Sequence, residues 1–313
     1  MVKRIVLAAP RGYCAGVERA VETVERALEQ HGAPVYVRKQ IVHNAHVVRD
    51  LEQRGAVFVD SEEQVPEGAT VVFSAHGVAP AVYENARARR LETIDATCPL
   101  VSKVHAEARH YAAQGYTIVL VGHAGHEEVE GTTGEAPDAV VLVQSAEEAE
   151  RLQLPQSDRL AYLTQTTLSV DETAEIVAVL RRRFPQIQAP RREDICYATT
   201  NRQRAVKELL PEIDLLLVIG SRNSSNSNRL VEVARAAGVR AQLVDDEQGI
   251  NERWLDGART VGITSGASAP EILVRRVLAW FHERGVAEVH ERQAAEDVFF
   301  KLPVEVRREP NAA

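Results

Sequence analysis

Three cysteines, Cys14, Cys98 and Cys196, are the only ones in the chain, and no two are close enough in sequence to form a Cys-x-x-Cys pair. That excludes both a thioredoxin-type redox motif and a zinc ribbon. Each follows a short β-branched run: Ile5-Val6-Leu7, Thr93-Ile94-Asp95 and Asp194-Ile195. Each is followed by a helical pattern. Its apolar positions are Val17, Val21, Val24 and Leu28 after Cys14, and Val101, Val104, Ala108 and Tyr111 after Cys98; after Cys196 they are the less regular Ala205, Val206 and Leu209. The pattern is strand–Cys–helix, used three times. A cysteine at a helix N-terminus sits where the backbone dipole favours thiolate, the form that binds metal.

The repetition extends past the cysteines. His43 lies 29 residues after Cys14, His126 lies 28 after Cys98, and Ser224 lies 28 after Cys196. A second polar point follows in each case: His76, Thr166 and Ser268, at 62, 68 and 72 residues from their cysteines. The cysteines themselves are 84 and 98 residues apart. One unit of roughly ninety residues, present three times, accounts for this spacing. Each copy offers one thiolate and two polar loop tips.

Strand patterns fall near 4–9, 35–37, 56–59 and 71–75, then 92–95, 117–121, 139–143 and 159–163, then 192–195, 215–219, 240–244 and 260–264. Twelve strands alternating with helices predict an α/β fold with parallel sheets, four strands to a unit. The expected lobes are 14–97, 98–193 and 194–282, the last joined by an N-terminal strand within 1–13, with a C-terminal tail over 283–313. The three similar lobes suggest a pseudo-threefold arrangement with the thiolates meeting near the axis. In the tail, Val298-Phe299-Phe300 is expected to dock on the body.

A net charge of −8 without a basic stretch points away from nucleic acid. No apolar run approaches the length of a membrane span. Ile5 to Pro10 is too short for a signal-peptide core, so the expected location is the cytoplasm, where thiols serve chemistry rather than cross-linking.

Several loops carry more chemistry than a connection needs. His43 and His76 read singly as surface histidines, but both lie past strand ends, where open α/β sheets bind ligands. Gly122 to Thr132 holds His123, His126, Glu127, Glu128 and Glu130 after a buried-looking strand. It reads either as a solvated acidic loop or as a site whose glycines let backbone approach a ligand. Ser169 with Glu172 forms a helix-start signal that leaves Thr166 unexplained. Gly220 to Asn228 strings together hydroxyls, amides and one Arg before a helix. Ser265 to Glu271 is a second hydroxyl-rich turn. Both turns suit anionic oxygens, and neither is a Walker-type ATP loop.

Three cysteines from three separate units fit zinc with a fourth histidine, or an iron–sulfur cluster, or inert burial. On a [4Fe–4S] cluster they leave one iron without a protein ligand, able to act as a Lewis acid and to pass electrons.

The motifs themselves resemble a known family. Gly12-Tyr13-Cys14-Ala15-Gly16-Val17, Val42-His43-Asn44, Ser74-Ala75-His76-Gly77-Val78, Asp95-Ala96-Thr97-Cys98-Pro99 and the Gly125 to Thr132 stretch resemble the 4-hydroxy-3-methylbut-2-enyl diphosphate reductases. So do Thr164 to Ser169, Asp194 to Gln203, Ser224 to Leu230 and Gly266 to Pro270, in order along essentially the whole chain. The resemblance implies reductive loss of an allylic hydroxyl, giving isopentenyl and dimethylallyl diphosphates at the end of the non-mevalonate isoprenoid pathway. It implies electrons from ferredoxin or flavodoxin, and a [4Fe–4S] cluster on Cys14, Cys98 and Cys196 that reads as [3Fe–4S] after oxidation. It implies diphosphate against His43, His76, Ser224, Ser225, Asn226 and Ser268, with His126, Glu128 and Thr166 nearer the hydroxyl. In such enzymes Glu128 would be the general acid, His126 and Thr166 its relay, and the diphosphate the donor of a second proton. The chain departs from the family in having Glu127 where Pro is frequent. Read as an extended loop, neighbours point to opposite sides, so Glu128 is expected inward and Glu127 in solvent. The rival readings are a zinc hydrolase and a cluster-bearing oxygen sensor without turnover.

Overall fold

The structure is a computed structural model and describes residues 2–154 and 159–307. In chain order the strands are β1 (Arg4–Leu7), β2 (Val35–Arg38), β3 (Ala56–Val59), β4 (Thr70–Phe73), β5 (Glu92–Asp95) and β6 (Thr117–Val121). They continue with β7 (Val140–Val143), β8 (Leu160–Thr164), β9 (Leu215–Ile219), β10 (Arg240–Val244), β11 (Thr260–Ser265) and β12 (Glu288–Glu291). The helices are α1 (Ala15–His31), α2 (Ala45–Gln53), α3 (Pro80–Ala88), α4 (Pro99–Ala113) and α5 (Glu127–Gly134). After them come α6 (Ala146–Arg151), α7 (Val170–Arg183), α8 (Tyr197–Leu209), α9 (Ser225–Ala236) and α10 (Glu271–Glu283).

The chain divides into two compact units. The first comprises the residues up to Glu18, His43–Arg49 and Tyr197–Phe299. It is built on one sheet, ordered β10-β9-β11-β1-β12 and parallel throughout. Strand β9, Leu-Leu-Leu-Val-Ile, is buried along its whole length, as a parallel strand covered on both faces should be. One face packs Leu215, Leu217, Ile263 and Phe281 with their neighbours. The other packs Leu216, Val218, Val206, Leu209 and Leu230.

The second unit comprises Arg19–Val42, Asp50–Cys196 and the chain from Phe300 on. It carries two parallel sheets, β3-β2-β4-β5 and β7-β6-β8. Phe73, Val71 and Leu91 centre the core beside the first of these. Val119, Tyr162 and Leu180 sit on one side of the second, and Ile118, Leu120 and Leu163 on the other.

Three small parallel sheets with flanking helices are therefore the fold, as expected. The strand count per sheet differs from four each. Strand β5, expected to open the second sheet, pairs instead with β4. The run 192–195 forms no strand; the Asp194 carboxylate takes the Thr164 N–H at 2.8 Å that a neighbouring strand would have taken. The third sheet holds β1, the N-terminal strand assigned to that lobe, and gains β12 from the tail, whose four residues are all exposed. Such a charged, solvent-facing edge strand has no hydrophobic alternation to announce it. Phe299 of the tail is 79% exposed and does not dock.

Candidate functional site

Each cysteine stands directly before a helix, at the head of α1, α4 or α8; all three are half-buried and none is in a disulfide. Each also donates its N–H to a loop that follows a strand. Cys14 donates to Ala267 O at 3.2 Å, Cys98 to Ala75 O at 3.0 Å and Cys196 to Thr166 O at 3.0 Å. The acceptors are Thr166 itself and the immediate neighbours of Ser268 and His76. The recurring second polar point is thus tied by backbone to its cysteine in each case. Burial pushes the Cys14 thiol up, and the Arg202 cation and the N–H groups of Val17 and Gly16 oppose that shift.

The first unit collects the hydroxyl and amide groups. Ser224 caps α9, accepting the Ser227 N–H at 3.3 Å and the Ser227 hydroxyl at 3.0 Å. Asn226 Oδ1 accepts Ala267 N–H at 2.9 Å, joining the α9 turn to the Ser268 loop. The Ser268 hydroxyl donates to His43 O at 2.9 Å, and Asn223 Nδ2 lies 3.3 Å from His43 Nδ1. Ser225 is the first residue of α9. The close fit depends on glycine: a Cβ at Gly220 or Gly266 would come within 2.2 or 2.0 Å of Ser227 Oγ. The first turn of α9 holds no acidic residue, so its dipole is free to favour an external anion.

The second unit collects the titratable groups. His126 caps α5, accepting the Glu128 N–H on Nδ1 at 3.2 Å. A ring nitrogen that accepts carries no proton, so the neutral ring holds its proton on Nε2. Glu128 is 2% exposed. Its Oε1 accepts Thr166 N–H at 2.5 Å and its Oε2 accepts the Thr166 hydroxyl at 3.1 Å. Burial pushes the Glu128 carboxyl up to about 7 in spite of those two bonds. Thr166 thereby links the acid on one side to the Cys196 N–H on the other.

Glu127 does not stand in solvent. The segment is the first turn of α5 rather than an extended loop, and successive helical residues lie about 100° apart, not 180°. Glu127 Oε2 consequently reaches His76 Nδ1 at 3.2 Å and accepts the Ser74 hydroxyl at 3.4 Å. Burial pulls the His76 imidazolium down to about 4, and a carboxylate at that distance favours the protonated ring. His76 and His126 are themselves edge to face, 5.9 Å between centroids.

The structure thus brings His43, Ser224, Ser225, Asn226 and Ser268 together with Cys14 in the first unit. It brings His76, His126, Glu128 and Thr166 together with Cys98 and Cys196 in the second. Two supports escaped the sequence reading. His105 of α4 pairs with Glu135 at 2.9 Å. A Cβ on Gly77 or Gly131 would meet its ring at 2.9 or 3.1 Å, so it sets the spacing between the Cys98 helix, the His76 loop and α5. The other is Arg202, fully buried among the backbone carbonyls before Cys14. Its one sequence signal is its place in Asn201-Arg202-Gln203, just past Cys196.

The family described as LytB protein matches residues 5–282. A 4-hydroxy-3-methylbut-2-enyl diphosphate reductase of Acidothermus cellulolyticus is 64% identical over 312 residues, 99% of this chain and 92% of the relative. The E-1-hydroxy-2-methyl-but-2-enyl-4-diphosphate reductase from Plasmodium falciparum superposes with a TM-score of 0.93 at 37% identity, covering 98% of this chain and 97% of that one. A second solved structure, of (E)-4-hydroxy-3-methyl-but-2-enyl diphosphate reductase, the terminal enzyme of the non-mevalonate pathway, gives 0.64 at 32% identity, over 90% of this chain and 100% of its own.

Proposed function

The chain belongs to the LytB protein family, the 4-hydroxy-3-methylbut-2-enyl diphosphate reductases, and we propose that it converts that allylic diphosphate to isopentenyl and dimethylallyl diphosphates. The overall change adds two electrons and two protons, breaks the allylic C–O bond and releases water. No helix among the described residues is long and apolar enough to cross a membrane. The proposed reaction runs in the cytoplasm on electrons from ferredoxin or flavodoxin.

The donor set fits an iron–sulfur cluster. Three cysteines outside any disulfide, each at a helix N-terminus, with backbone N–H groups turned to the Cys14 sulfur, suit thiolates bearing shared negative charge. Cys14, Cys98 and Cys196 would hold a [4Fe–4S] cluster, which when bound supplies the electrons and one iron open to the substrate.

The remaining work belongs to side chains. Hydroxide leaves poorly, and a proton delivered to its oxygen makes the leaving group water. Glu128 is suited to that delivery, because a carboxyl with its pKa near 7 is about half protonated at neutral pH. The Thr166 N–H and hydroxyl fix its two oxygens, and His126 and Thr166 serve as its relay. The diphosphate is held by His43, His76, Ser224, Ser225, Asn226 and Ser268, all hydroxyl, amide or imidazole donors, and the N-terminus of α9 adds its dipole at Ser224 and Ser225. The diphosphate, so fixed, returns the second proton to carbon.

The observation that carries this reading is the buried Glu128 held by Thr166, whose carbonyl in turn holds the Cys196 N–H. Anaerobic turnover of 4-hydroxy-3-methylbut-2-enyl diphosphate with a chemical reductant tests it, alongside iron and sulfide analysis. Both isoprenoid diphosphates should appear. Zinc in place of iron, or tight binding without turnover, would contradict the reading.

A further inference from the structure

Arg202 is the largest fully buried side chain described in the protein, and it is spent on the turn that precedes Cys14. Its Nε and Nη2 donate to Gly12 O at 3.2 and 2.7 Å, and Nη2 also donates to Tyr13 O at 3.2 Å. Its Nη1 donates to Ala198 O at 3.1 Å and to the Glu296 carboxylate at 3.1 and 3.3 Å. Gly12 has φ +72°, a conformation an L side chain rarely adopts, and the guanidinium holds its carbonyl there. On the far side of the cysteine, Ala15 N–H donates to the Tyr197 hydroxyl at 3.1 Å, from the first turn of the same helix, α8. Cys14 is therefore gripped before and after by α8.

The grip is more strongly charged than packing requires. A guanidinium without solvent exposure costs several kcal/mol to desolvate, and its one carboxylate partner offsets only part of that. Apolar residues would fill the space more cheaply. The partner comes from far along the chain: Glu296 lies in the segment after β12, its side chain 12% exposed, and takes a second donor from Asn201 Nδ2 at 2.8 Å. Tyr13 and Glu296 also line a cleft of about 810 Å³, so the outer side of the pair meets solvent while Arg202 does not. Both charges stand against the turn that ends at Cys14: the guanidinium on the Gly12 and Tyr13 carbonyls, and the Glu296 carboxylate on the guanidinium.

We propose that Arg202 and Glu296 form a positioning pair that fixes the Gly12–Cys14 turn and sets the electrostatic potential at Cys14, so that the C-terminal segment tunes how readily a cluster held there accepts an electron. This rests on the reading that Cys14 is a cluster ligand. A cation beside a group that gains an electron stabilises the reduced state, and a carboxylate does the opposite. The two members of the pair must therefore move the reduction potential in opposite directions, which loss of packing alone would not do.

The test uses the full chain, reconstituted anaerobically, with iron and sulfide measured first and the midpoint potential then followed by electron paramagnetic resonance. Glu296→Gln keeps shape and the Asn201 bond; with full iron content, its potential should shift positive. Arg202→Gln should shift it negative, and Arg202→Lys, which keeps the charge, should restore most of the difference. If Arg202→Gln does not fold, the sign for Glu296→Gln still decides. An unchanged or more negative potential in Glu296→Gln overturns the inference. Absence of iron from the wild type would overturn the cluster reading instead. In that case iodoacetamide labelling of Cys14 in the iron-free protein, read by peptide mass, reports the charge at the sulfur directly. Labelling should be faster in Glu296→Gln than in the wild type, and equal rates would dispose of the pair's role.

Discussion

Two turns in this molecule start from one design and end with different charge at the helix start. The turn from β9 into α9 and the turn from β6 into α5 both leave a buried parallel strand, pass a glycine and open a helix. At α9 the cap is Ser224 and the first turn carries no acid. At α5 the cap is His126 and the first turn carries Glu127, Glu128 and Glu130. A helix N-terminus attracts negative charge in either case. In α9 the place is left for a charge that arrives with a ligand. In α5 the chain's own carboxylates occupy it. Of these, Glu128 is set apart: burial pushes its carboxyl up to about 7, and Thr166 keeps it in one orientation. The lesson is that the residue type in the first turn, not the loop geometry, decides whether such a turn is open to an external anion or already holds the chain's own carboxylates.

Substitutions can break each half of that comparison. Glu128→Gln keeps the shape of the α5 turn and removes its acid. The expected result is a fall in kcat of roughly a hundred- to ten-thousandfold with pyrophosphate binding intact; a parallel loss of binding would put Glu128 in the anion site. Ser225→Glu rebuilds in α9 the acidic first turn of α5. Pyrophosphate affinity, measured by calorimetry, should drop by about a hundredfold because like charges face each other, while the cluster spectrum stays as it was. Ser268→Ala is gentler. It removes one hydroxyl next to the Ala267 carbonyl that holds Cys14 N–H, and should weaken substrate and pyrophosphate together by roughly tenfold, the value of one hydrogen bond to a charged group.

Glu127→Gln should have the smallest effect. The carboxylate touches His76, not the proposed acid Glu128, so kcat should hold while KM rises about two- to tenfold, the range of a single hydrogen bond. A kcat loss matching that of Glu128→Gln would mean that the two neighbours exchange roles.

Reading residue types located most of these groups before any geometry was known. Cysteines at helix starts, hydroxyl-rich turns and histidines past strand ends are local signals, and the structure puts each of them on such a loop. What escaped depended on partners distant in sequence. Pairing of β5 with β4 cannot be read from β5, because Glu-Thr-Ile-Asp fits either sheet. Strand β12 is charged and exposed, and it is paired with β1 by a parallel backbone ladder. Arg202 reads as one more polar residue on a helix; only the carbonyls of Gly12 and Tyr13, some 190 residues earlier, make it a buried clamp. Glu127 went astray for a local reason. The helix begins one residue sooner than an extended loop would allow, and that turns its side chain onto His76.

The dependence of kcat on pH, in wild type and in Glu128→Gln, tests the account of the α5 turn most directly. Glu128 donates only while protonated, and its carboxyl is pushed up to about 7. Wild-type log kcat should therefore be level on the acid side and fall by about one unit per pH unit above neutrality. Glu128→Gln should be slow and level across the same range. If the fall above neutrality persists in Glu128→Gln, another group supplies the proton and the assignment of Glu128 is wrong.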